Sequence, residues 1–143
     1  MILLDTNVVS EIYRPEPSRI VIDWIDLQPR LSVYLCTPVL AELRYGMECL
    51  VDGARKDRLR ATIERLEGNL YRDRILVLDT AAAAEYGHVA ANCRKLGRPI
   101  NQMDGLIAAI GLAHSAVLAT RNAKDFSGLG LDLVNPFEAK AAR

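Results

Sequence analysis

Four acidic residues, Asp5, Glu42, Asp104 and Asp125, stand at positions from which their carboxylates could converge. Asp5 follows an apolar run directly, with no turn residue between them. Glu42 and Asp104 lie on or beside the apolar faces of two predicted helices, and Asp125 lies in the loop after a later apolar run. Oxygen ligands of this kind, with no histidine or cysteine among them, suit a hard cation such as Mg²⁺ or Mn²⁺.

Each of these acids also has a purely structural interpretation when it is considered alone. Asp5 could be a loop or capping residue, and Asp104 could form a capping pair with Asn101 at the start of a helix. Glu42 could be a solvated helix charge, and Asp125 could be a turn residue. The functional interpretation therefore depends on all four acids together.

Four carboxylates that met would repel one another strongly. A like-charged pair about 4 Å apart costs on the order of 4 kcal/mol at an effective dielectric constant of about 20, so a cation would be needed to hold the group together. A cation bound in this way can activate water and can neutralise the charge that develops on a phosphodiester during in-line attack. The four acids therefore predict a metal site that could hydrolyse phosphate esters.

The acids must be positioned by a layered α/β domain, because short apolar runs alternate with longer segments of helical periodicity. The predicted strands, each apolar on both faces as in a parallel sheet, are 2–5, 32–36, 75–79, 116–119 and 131–134. The predicted helices are 18–27, 38–50, 54–68, 80–96 and 101–114. Three of these helices have predicted N-terminal caps, namely Ser18, Thr37 and Thr80.

Ligands of an open parallel sheet gather outside the carboxyl ends of the strands. Asp5 lies at that end of the first strand, and the loop 120–126 begins at the same edge after the fourth strand. This loop carries Thr120, Asn122 and Asp125, so two separate segments should deliver oxygen atoms to one rim of the sheet.

The chain of 143 residues is long enough for one core, and we expect a single domain over residues 1–143. Half of the residues are hydrophobic, and 18 basic side chains balance 18 acidic ones, which excludes binding of nucleic acid by bulk charge. No apolar run is long enough for a membrane span, and the N-terminus lacks the features of a secretory signal. We therefore expect a cytoplasmic protein with reduced, core-type cysteines, which are Cys36, Cys49 and Cys93.

Four segments in series resemble those of a known family. They are LLDTNVVSE with Asp5, AELRYG with Glu42, MDGLIAA with Asp104 and ATRNAKDF with Asp125. These segments resemble the PIN-domain ribonucleases, and among them the VapC-type toxins of bacterial toxin–antitoxin pairs. The segment LVNPF near the C-terminus resembles FitB-like members, which have a DNA-binding partner. The similarity runs nearly from end to end.

The resemblance implies a PIN-like three-layer α/β fold, with a short parallel sheet of four or five strands flanked by helices. It implies an endoribonuclease that depends on Mg²⁺ or Mn²⁺ and attacks RNA with metal-bound water or hydroxide, which leaves a 5′-phosphate and a 3′-hydroxyl. It also implies a homodimer and a small VapB- or FitA-like antitoxin that blocks the active site and binds operator DNA.

The resemblance also implies roles for individual residues. By position in the matching segments, Asp5 and Asp104 correspond to direct metal ligands, and Glu42 completes the site directly or through water. Thr6 and Thr120 are expected to supply hydroxyl contacts.

The fourth ligand position is open between two residues. Asp125 is the candidate fourth acid, but FitB-like members can place an acid where this chain has Asn122. The number of metal ions, one or two, is open for the same reason.

Other functions have less support in the sequence. A receiver-like phosphoacceptor domain could use Asp79, but the chain lacks the early acid pair of such domains, and a D-x-D-x-T phosphatase would need an acid at Asn7. Region 55–74, with seven basic and four acidic residues, could contact RNA but is also typical of a solvated helix face. His88 and His114 lie in separate predicted helices and are interpreted as structural. The alternative function is a non-catalytic partner in an operator-bound toxin–antitoxin complex.

Overall fold

The computed structural model describes residues 1–138, and its centre is a five-stranded parallel sheet. The strands are β1 (Ile2–Leu4), β2 (Val33–Cys36), β3 (Ile75–Leu76), β4 (Val117–Ala119) and β5 (Asp132–Val134). They lie in the order β3-β2-β1-β4-β5, and every neighbouring pair is parallel. All five predicted strands are confirmed, although β3 is shorter than predicted. The predicted domain ran to residue 143, and its last five positions, 139–143, lie outside the described residues.

Six α-helices flank the sheet within residues 1–138. They are α1 (Thr6–Ile12), α2 (Arg19–Asp26), α3 (Thr37–Glu48), α4 (Ala54–Arg65), α5 (Thr80–Lys95) and α6 (Gln102–Ala113). A 3₁₀ turn precedes β2 at Arg30–Ser32, and a π-helical turn continues α4 at Leu66–Leu70. The predicted α/β fold with a parallel sheet between helices is therefore confirmed. Over the same span, none of the helices has the length and apolar character needed to cross a membrane.

The apolar runs form the central strands because parallel strands with helices on both faces are buried on both sides. Leu3 and Leu4 of β1, Leu35 of β2 and Leu118 of β4 are fully buried, and Ile107 of α6 joins them in the core. This packing fixes the carboxyl ends of β1 and β4, where the predicted site residues begin.

α1 was not predicted, and only Asp5 separates it from β1. Its sequence, TNVVSEI, is rich in β-branched and short polar residues, which have low helix propensity. The helix forms because Asp5 caps its N-terminus by accepting a hydrogen bond from the backbone N–H of Thr6 at 2.7 Å. Val8 and Val9 then bury its inner face. The chain therefore passes from strand to helix at the first candidate ligand.

Two predicted helix caps were wrong by one residue. α3 begins at Thr37, so its N-cap is Cys36, which makes no side-chain capping bond. α5 begins at Thr80, and its cap is Asp79, whose Oδ1 accepts a hydrogen bond from a first-turn N–H at 2.9 Å. A carboxylate at this position also complements the helix dipole. Asp79 therefore belongs to the start of α5 and not to β3, which ends earlier than predicted. Ser18 does occupy the N-cap of α2, but its side chain makes no capping bond.

The strand order reverses between β1 and β4. The chain proceeds from β1 through β2 to β3 at one edge of the sheet, and β4 and β5 extend the other edge. In open parallel sheets, ligands bind outside the carboxyl ends of the strands at the point where the strand order reverses, which here is the end of β1 and β4. The register pairs Leu4 with Ala119, so Asp5 and Thr120 follow as neighbours. Asp5 donates its backbone N–H to the Ala119 carbonyl at 3.0 Å.

Candidate active site

Asp5 is the centre of a hydrogen-bond network at the carboxyl end of the sheet. Its side chain is almost fully buried, with 3% exposed. Besides the bond from Thr6 N to Oδ1, its Oδ2 accepts a hydrogen bond from Thr120 Oγ1 at 2.7 Å and one from Asn7 Nδ2 at 2.8 Å. Together the three donors fix the carboxylate in one orientation and offset much of the free-energy cost of burying its charge.

Glu42 is joined to Asp5 through one intervening residue. The hydroxyl of Thr6 donates a hydrogen bond to Glu42 Oε1 at 2.6 Å, while the backbone N–H of Thr6 serves Asp5. Glu42 is half-buried on α3 and faces the start of α1, as its position beside the apolar stripe of the helix predicted. The Thr6 hydroxyl, which was predicted to make a contact in the site, thus donates to the Glu42 carboxylate.

Asn7 ties the two loops of the site together. Its Nδ2 lies 2.8 Å from Asp5 Oδ2 and 3.4 Å from Thr120 Oγ1, and its Oδ1 accepts the backbone N–H of Arg121 at 3.0 Å. Asn7 was not among the residues predicted from the sequence to form the site. Its only signal was its place two residues after a strand-end aspartate, because the partners in the second loop are more than a hundred residues away.

Asn122 contributes to the network through its backbone. Its N–H donates to Thr120 Oγ1 at 3.0 Å, which orients the Thr120 hydroxyl hydrogen towards Asp5. Its side chain is exposed and makes no hydrogen bond within residues 1–138. Asp125 follows in the same turn, and its N–H donates to the Asn122 carbonyl at 3.0 Å.

Asp104 lies in the first turn of α6, where Asn101 caps the helix. Asn101 Oδ1 accepts hydrogen bonds from Met103 N at 2.9 Å and from Asp104 N at 3.4 Å, so the predicted cap is confirmed. The capping bonds from the first-turn N–H groups to the Asn101 side chain therefore fix the position of Asp104. Asp104 and Asp125 line one groove of about 470 Å³, which brings α6 and the loop 120–126 to the same opening.

The pKa values of Asp104 and Asp5 depend on burial and on neighbouring charges. Burial and, to a smaller extent, the negative charges of Asp5, Glu42 and Asp125 together raise the pKa of Asp104 to about 6. Burial also raises the pKa of Asp5 above its usual value, against the lowering effect of the Thr120, Thr6 and Asn7 hydrogen bonds. In residues 1–138, no lysine, arginine or histidine forms an ion pair with any of the four acids.

The donor set fits a hard divalent cation that keeps part of its water. Among residues 1–138, no three histidine, cysteine, aspartate or glutamate side chains are arranged to hold a metal ion by themselves. Mg²⁺ does not require such an arrangement, because it commonly keeps several waters and is bound through one or two carboxylates. Asp5, Glu42, Asp104 and Asp125 offer oxygen donors without neutralising partners, which is the electrostatic condition for recruiting a cation.

The neighbouring cysteine is not part of this chemistry. Burial raises the pKa of the Cys36 thiol to about 12, and the charges of Asp5 and Glu42 add to that effect, so the thiol stays protonated. Cys36 and Cys93 are buried free thiols, as predicted, whereas Cys49 is exposed, so its assignment to the core was wrong. Cys49 lies just after the end of α3, where the chain leaves the core.

Arg121 anchors the loop 120–126 from its outer side. Its guanidinium lies 3.8 Å from the centre of the Phe137 ring, and its Nη2 lies 3.4 Å from Glu11 Oε2. The backbone N–H of Ser18 lowers the pKa of Glu11 below its usual value, and Arg14 and Arg121 contribute to that shift. The LVNPF segment thus has a structural role, because its phenylalanine holds the loop that carries Thr120.

The model of the PIN domain family matches residues 2–130, which is most of the chain. The chain belongs to the PIN-domain family. This confirms the resemblance inferred from the four acidic segments, and the five-stranded parallel sheet is the fold expected of a PIN domain.

Relatives of this PIN domain align over nearly its full length. It is 39% identical to "VapC ribonuclease Y4jK" of Sinorhizobium fredii over 96% of this chain and 99% of the relative. It is 38% identical to "Toxin FitB" of Neisseria gonorrhoeae over 96% of this chain and 99% of the relative. In the solved structure of FitAB bound to an IR36 DNA fragment, the matching chain is 36% identical, with a TM-score of 0.89 and 98% of both chains covered.

Proposed function

We propose that this PIN-domain protein is the toxin of a toxin–antitoxin pair and that it hydrolyses RNA phosphodiesters with the help of Mg²⁺ or Mn²⁺. The proposal is carried by two pairs of acids that have no ion-pair partner in the described residues: Thr6 bridges Asp5 and Glu42, and Asp104 and Asp125 line one groove. The two pairs are electrostatically linked, because the charges of Asp5, Glu42 and Asp125 add to the effect of burial in raising the pKa of Asp104. Its relatives named as a VapC ribonuclease and as the toxin FitB support the same assignment.

In the proposed site, Asp5 and Asp104 would hold the metal directly, and Glu42 would hold it directly or through water. Asp125 is the better candidate for the fourth position, because it lines the groove beside Asp104, whereas the Asn122 side chain makes no contact there. The bound ion would supply a water of lowered pKa and would stabilise negative charge on the phosphate.

The remaining polar residues keep the carboxylates ready for a cation. Thr120 and Asn7 hold Asp5 Oδ2, and Thr6 holds Glu42, so neither acid has to reorganise when a cation arrives. Their hydrogen bonds also oppose the effect of burial on the pKa of Asp5. Thr6 and Thr120 therefore act as positioning residues in this proposal.

The test is RNA cleavage by the purified protein with Mg²⁺, with Mn²⁺ and with EDTA, and we expect cleavage only with the metals. Asp104→Asn removes one charge from the site and should abolish cleavage and growth inhibition. Asp73→Asn is the matched control, because Asp73 is exposed and lies outside the network. Equal toxicity of the wild type and Asp104→Asn would contradict the nuclease function.

We further propose a homodimer and a small VapB- or FitA-like antitoxin that inhibits the site and binds operator DNA. The solved FitAB complex with a DNA fragment and its TM-score of 0.89 support the antitoxin and the operator DNA, and the homodimer stays a prediction. Both proposed nucleic acid partners would place the protein in the cytoplasm. The same structure favours a second candidate function, in which the protein acts mainly as part of an operator-bound complex. That function would be indicated if the complex shifted operator DNA in a gel while the isolated protein cleaved no RNA with either metal.

A further inference from the structure

A groove of about 470 Å³ leads away from the proposed metal site. Asp104 and Asp125 line one part of it, and two basic residues, Arg98 and Lys124, line it as well. The groove therefore combines the acids of the proposed site with positive charge.

The backbone fixes Arg98 at the edge of the groove. Gly97 ends α5 in a left-handed conformation with φ of 69°, and its N–H bonds to the Arg94 carbonyl at 3.0 Å. The N–H of Arg98 bonds to the Cys93 carbonyl at 2.9 Å, which completes a Schellman motif. Pro99 follows and limits the backbone further. Arg98 therefore leaves the helix in one defined direction.

The Arg98 side chain extends to the opposite wall of the groove. A Cβ atom placed on Gly128 would lie 3.9 Å from Arg98 Nη2. Gly128 belongs to the same wall as Lys124 and Asp125. The guanidinium is thus held near the loop that carries the second basic residue, although the two residues come from separate segments.

Both basic side chains are exposed and available to a ligand. Neither Arg98 nor Lys124 forms an ion pair within residues 1–138, even though two acids line the same groove. Several basic residues of the region 55–74 and its neighbourhood are neutralised instead, as in the pairs Arg44–Glu67, Lys56–Asp52 and Arg60–Asp57. Arg55 and Arg58 on α4 form no ion pair in the described residues either, so the groove is distinguished by the position of its two cations beside Asp104 and Asp125.

We infer that this groove binds the sugar–phosphate backbone of a single RNA strand beside the bond that is cut, with Arg98 and Lys124 each contacting a phosphate. This inference rests on the proposed function and adds the path of the substrate. Asn92 and Ser127 also line the groove and offer neutral hydrogen-bond donors suited to ribose hydroxyls. An acidic segment of a partner protein is a weaker candidate, because it has no phosphodiester to place at the neighbouring acids.

The test is binding of a fluorescent ten-nucleotide RNA of random sequence, followed by anisotropy in EDTA at several KCl concentrations. Each phosphate contact to a single strand contributes roughly 0.7 to the slope of log K against log salt. The double variant Arg98→Ala/Lys124→Ala should therefore lose about 1.4 of that slope and bind roughly tenfold more weakly. The matched control is Arg55→Ala/Arg58→Ala, which removes two basic residues from α4 and should leave the slope and the affinity unchanged.

Two further measurements separate this inference from the proposed function. Mn²⁺ binding, measured by calorimetry, should be the same in the wild type and the double variant, while KM for a long RNA should rise about tenfold. If the wild type bound RNA with the expected salt dependence but cleaved no RNA, the nuclease function would be contradicted and the groove inference would still be supported. The groove inference would be wrong if the wild type did not bind RNA, if the double variant bound RNA like the wild type, or if the variant lost only antitoxin binding.

Discussion

The Thr120 hydroxyl donates a 2.7 Å hydrogen bond to Asp5 Oδ2, and this contact is buried although the residues are 115 positions apart. It joins the ends of β1 and β4, the two strands between which the sheet reverses its order. The same hydroxyl accepts the N–H of Asn122, so the loop that leaves β4 is held by the acid that leaves β1. The hydrogen bond that orients Asp5 therefore also stabilises the fold.

Thr120→Val should weaken both stability and metal binding. Valine has nearly the same shape but cannot donate to Asp5, and it leaves the Asn122 N–H without its acceptor. We expect a loss of about 1–3 kcal/mol in the free energy of unfolding, measured with urea. Because the lost bond orients the Asp5 carboxylate, Mn²⁺ affinity should fall about tenfold. Thr120→Ser keeps the hydroxyl and should retain both properties, so an equal loss in Ser and Val variants would contradict this account.

Asn7→Ala and Asn122→Ala should differ strongly. Asn7 donates to Asp5 and accepts from the Arg121 backbone, so its removal takes one of two donors from the buried Asp5 Oδ2 and leaves the Arg121 N–H without its acceptor. We expect a decrease of about 1–3 kcal/mol in unfolding free energy and weaker Mn²⁺ binding. Asn122→Ala removes an exposed side chain that makes no hydrogen bond in the described chain, so it should change stability by about 0.5 kcal/mol or less. A clear loss of Mn²⁺ binding in Asn122→Ala would assign the fourth ligand position to Asn122.

Asp104→Asn should stabilise the metal-free protein in a pH-dependent way. The pKa of Asp104 is raised from 3.8 to about 6 on folding, so the native state binds the proton more tightly than the unfolded state. The wild type therefore loses stability relative to the variant as the pH rises from about 4 to about 6, and the difference stays constant above that. For this partly exposed group we expect about 1 kcal/mol, or roughly 4 °C in Tm, in EDTA at pH 7.5.

Mg²⁺ should reverse that order at the same pH. The wild type should gain thermal stability with Mg²⁺, because the cation removes the repulsion among the acids, and Asp104→Asn should gain much less. Thermal unfolding of both proteins at pH 4, 5, 6 and 7.5, with EDTA and with Mg²⁺, measures both effects. If the difference in Tm between the wild type and Asp104→Asn were the same at pH 4 and pH 7.5, folding would not raise the pKa of Asp104, and this account would be contradicted.

The sequence predicted the elements of this fold well where burial alone decides the structure. Five short runs that are apolar on both faces became five parallel strands, and Asn101 capped α6 as expected. It failed where one polar contact decides instead. α1 has residues of low helix propensity and depends on the Asp5 cap. The predicted strand 75–79 is shorter in the structure because Asp79 caps α5.

The candidate site divides in the same way. The four acids could be proposed as ligands because each stands at a strand end, a helix start or a helix face with a recognisable pattern, and their role stays a prediction. The role of Asn7 could not, because its partners Thr120 and Arg121 come from a loop more than a hundred residues later and leave no periodic signal. The position of Arg98 beside the groove could not be predicted either, because it depends on the Schellman motif at Gly97 and not on a periodic pattern.

Gly105→Ala and Gly87→Ala should shift stability in opposite directions. A Cβ on Gly105 would lie 2.9 Å from the Tyr86 Cε2 atom and 3.4 Å from Ile100 Cγ2, so α5 and α6 would have to move apart or the ring would have to turn. We expect a cost of about 1–3 kcal/mol in unfolding free energy. Gly87 is exposed in the middle of α5 with nothing within 4 Å of a Cβ, so alanine there should stabilise the protein by about 0.5–1 kcal/mol.

The Gly105 variant should also weaken Mn²⁺ binding, because Asp104 is the preceding residue and moves with the start of α6. Gly87→Ala lies on the neighbouring helix and should leave Mn²⁺ affinity unchanged. Urea unfolding and calorimetric titration of the two variants measure these effects side by side. If both glycines could be replaced with a gain in stability, the close approach of α5 to α6 would not be what holds Asp104 in place.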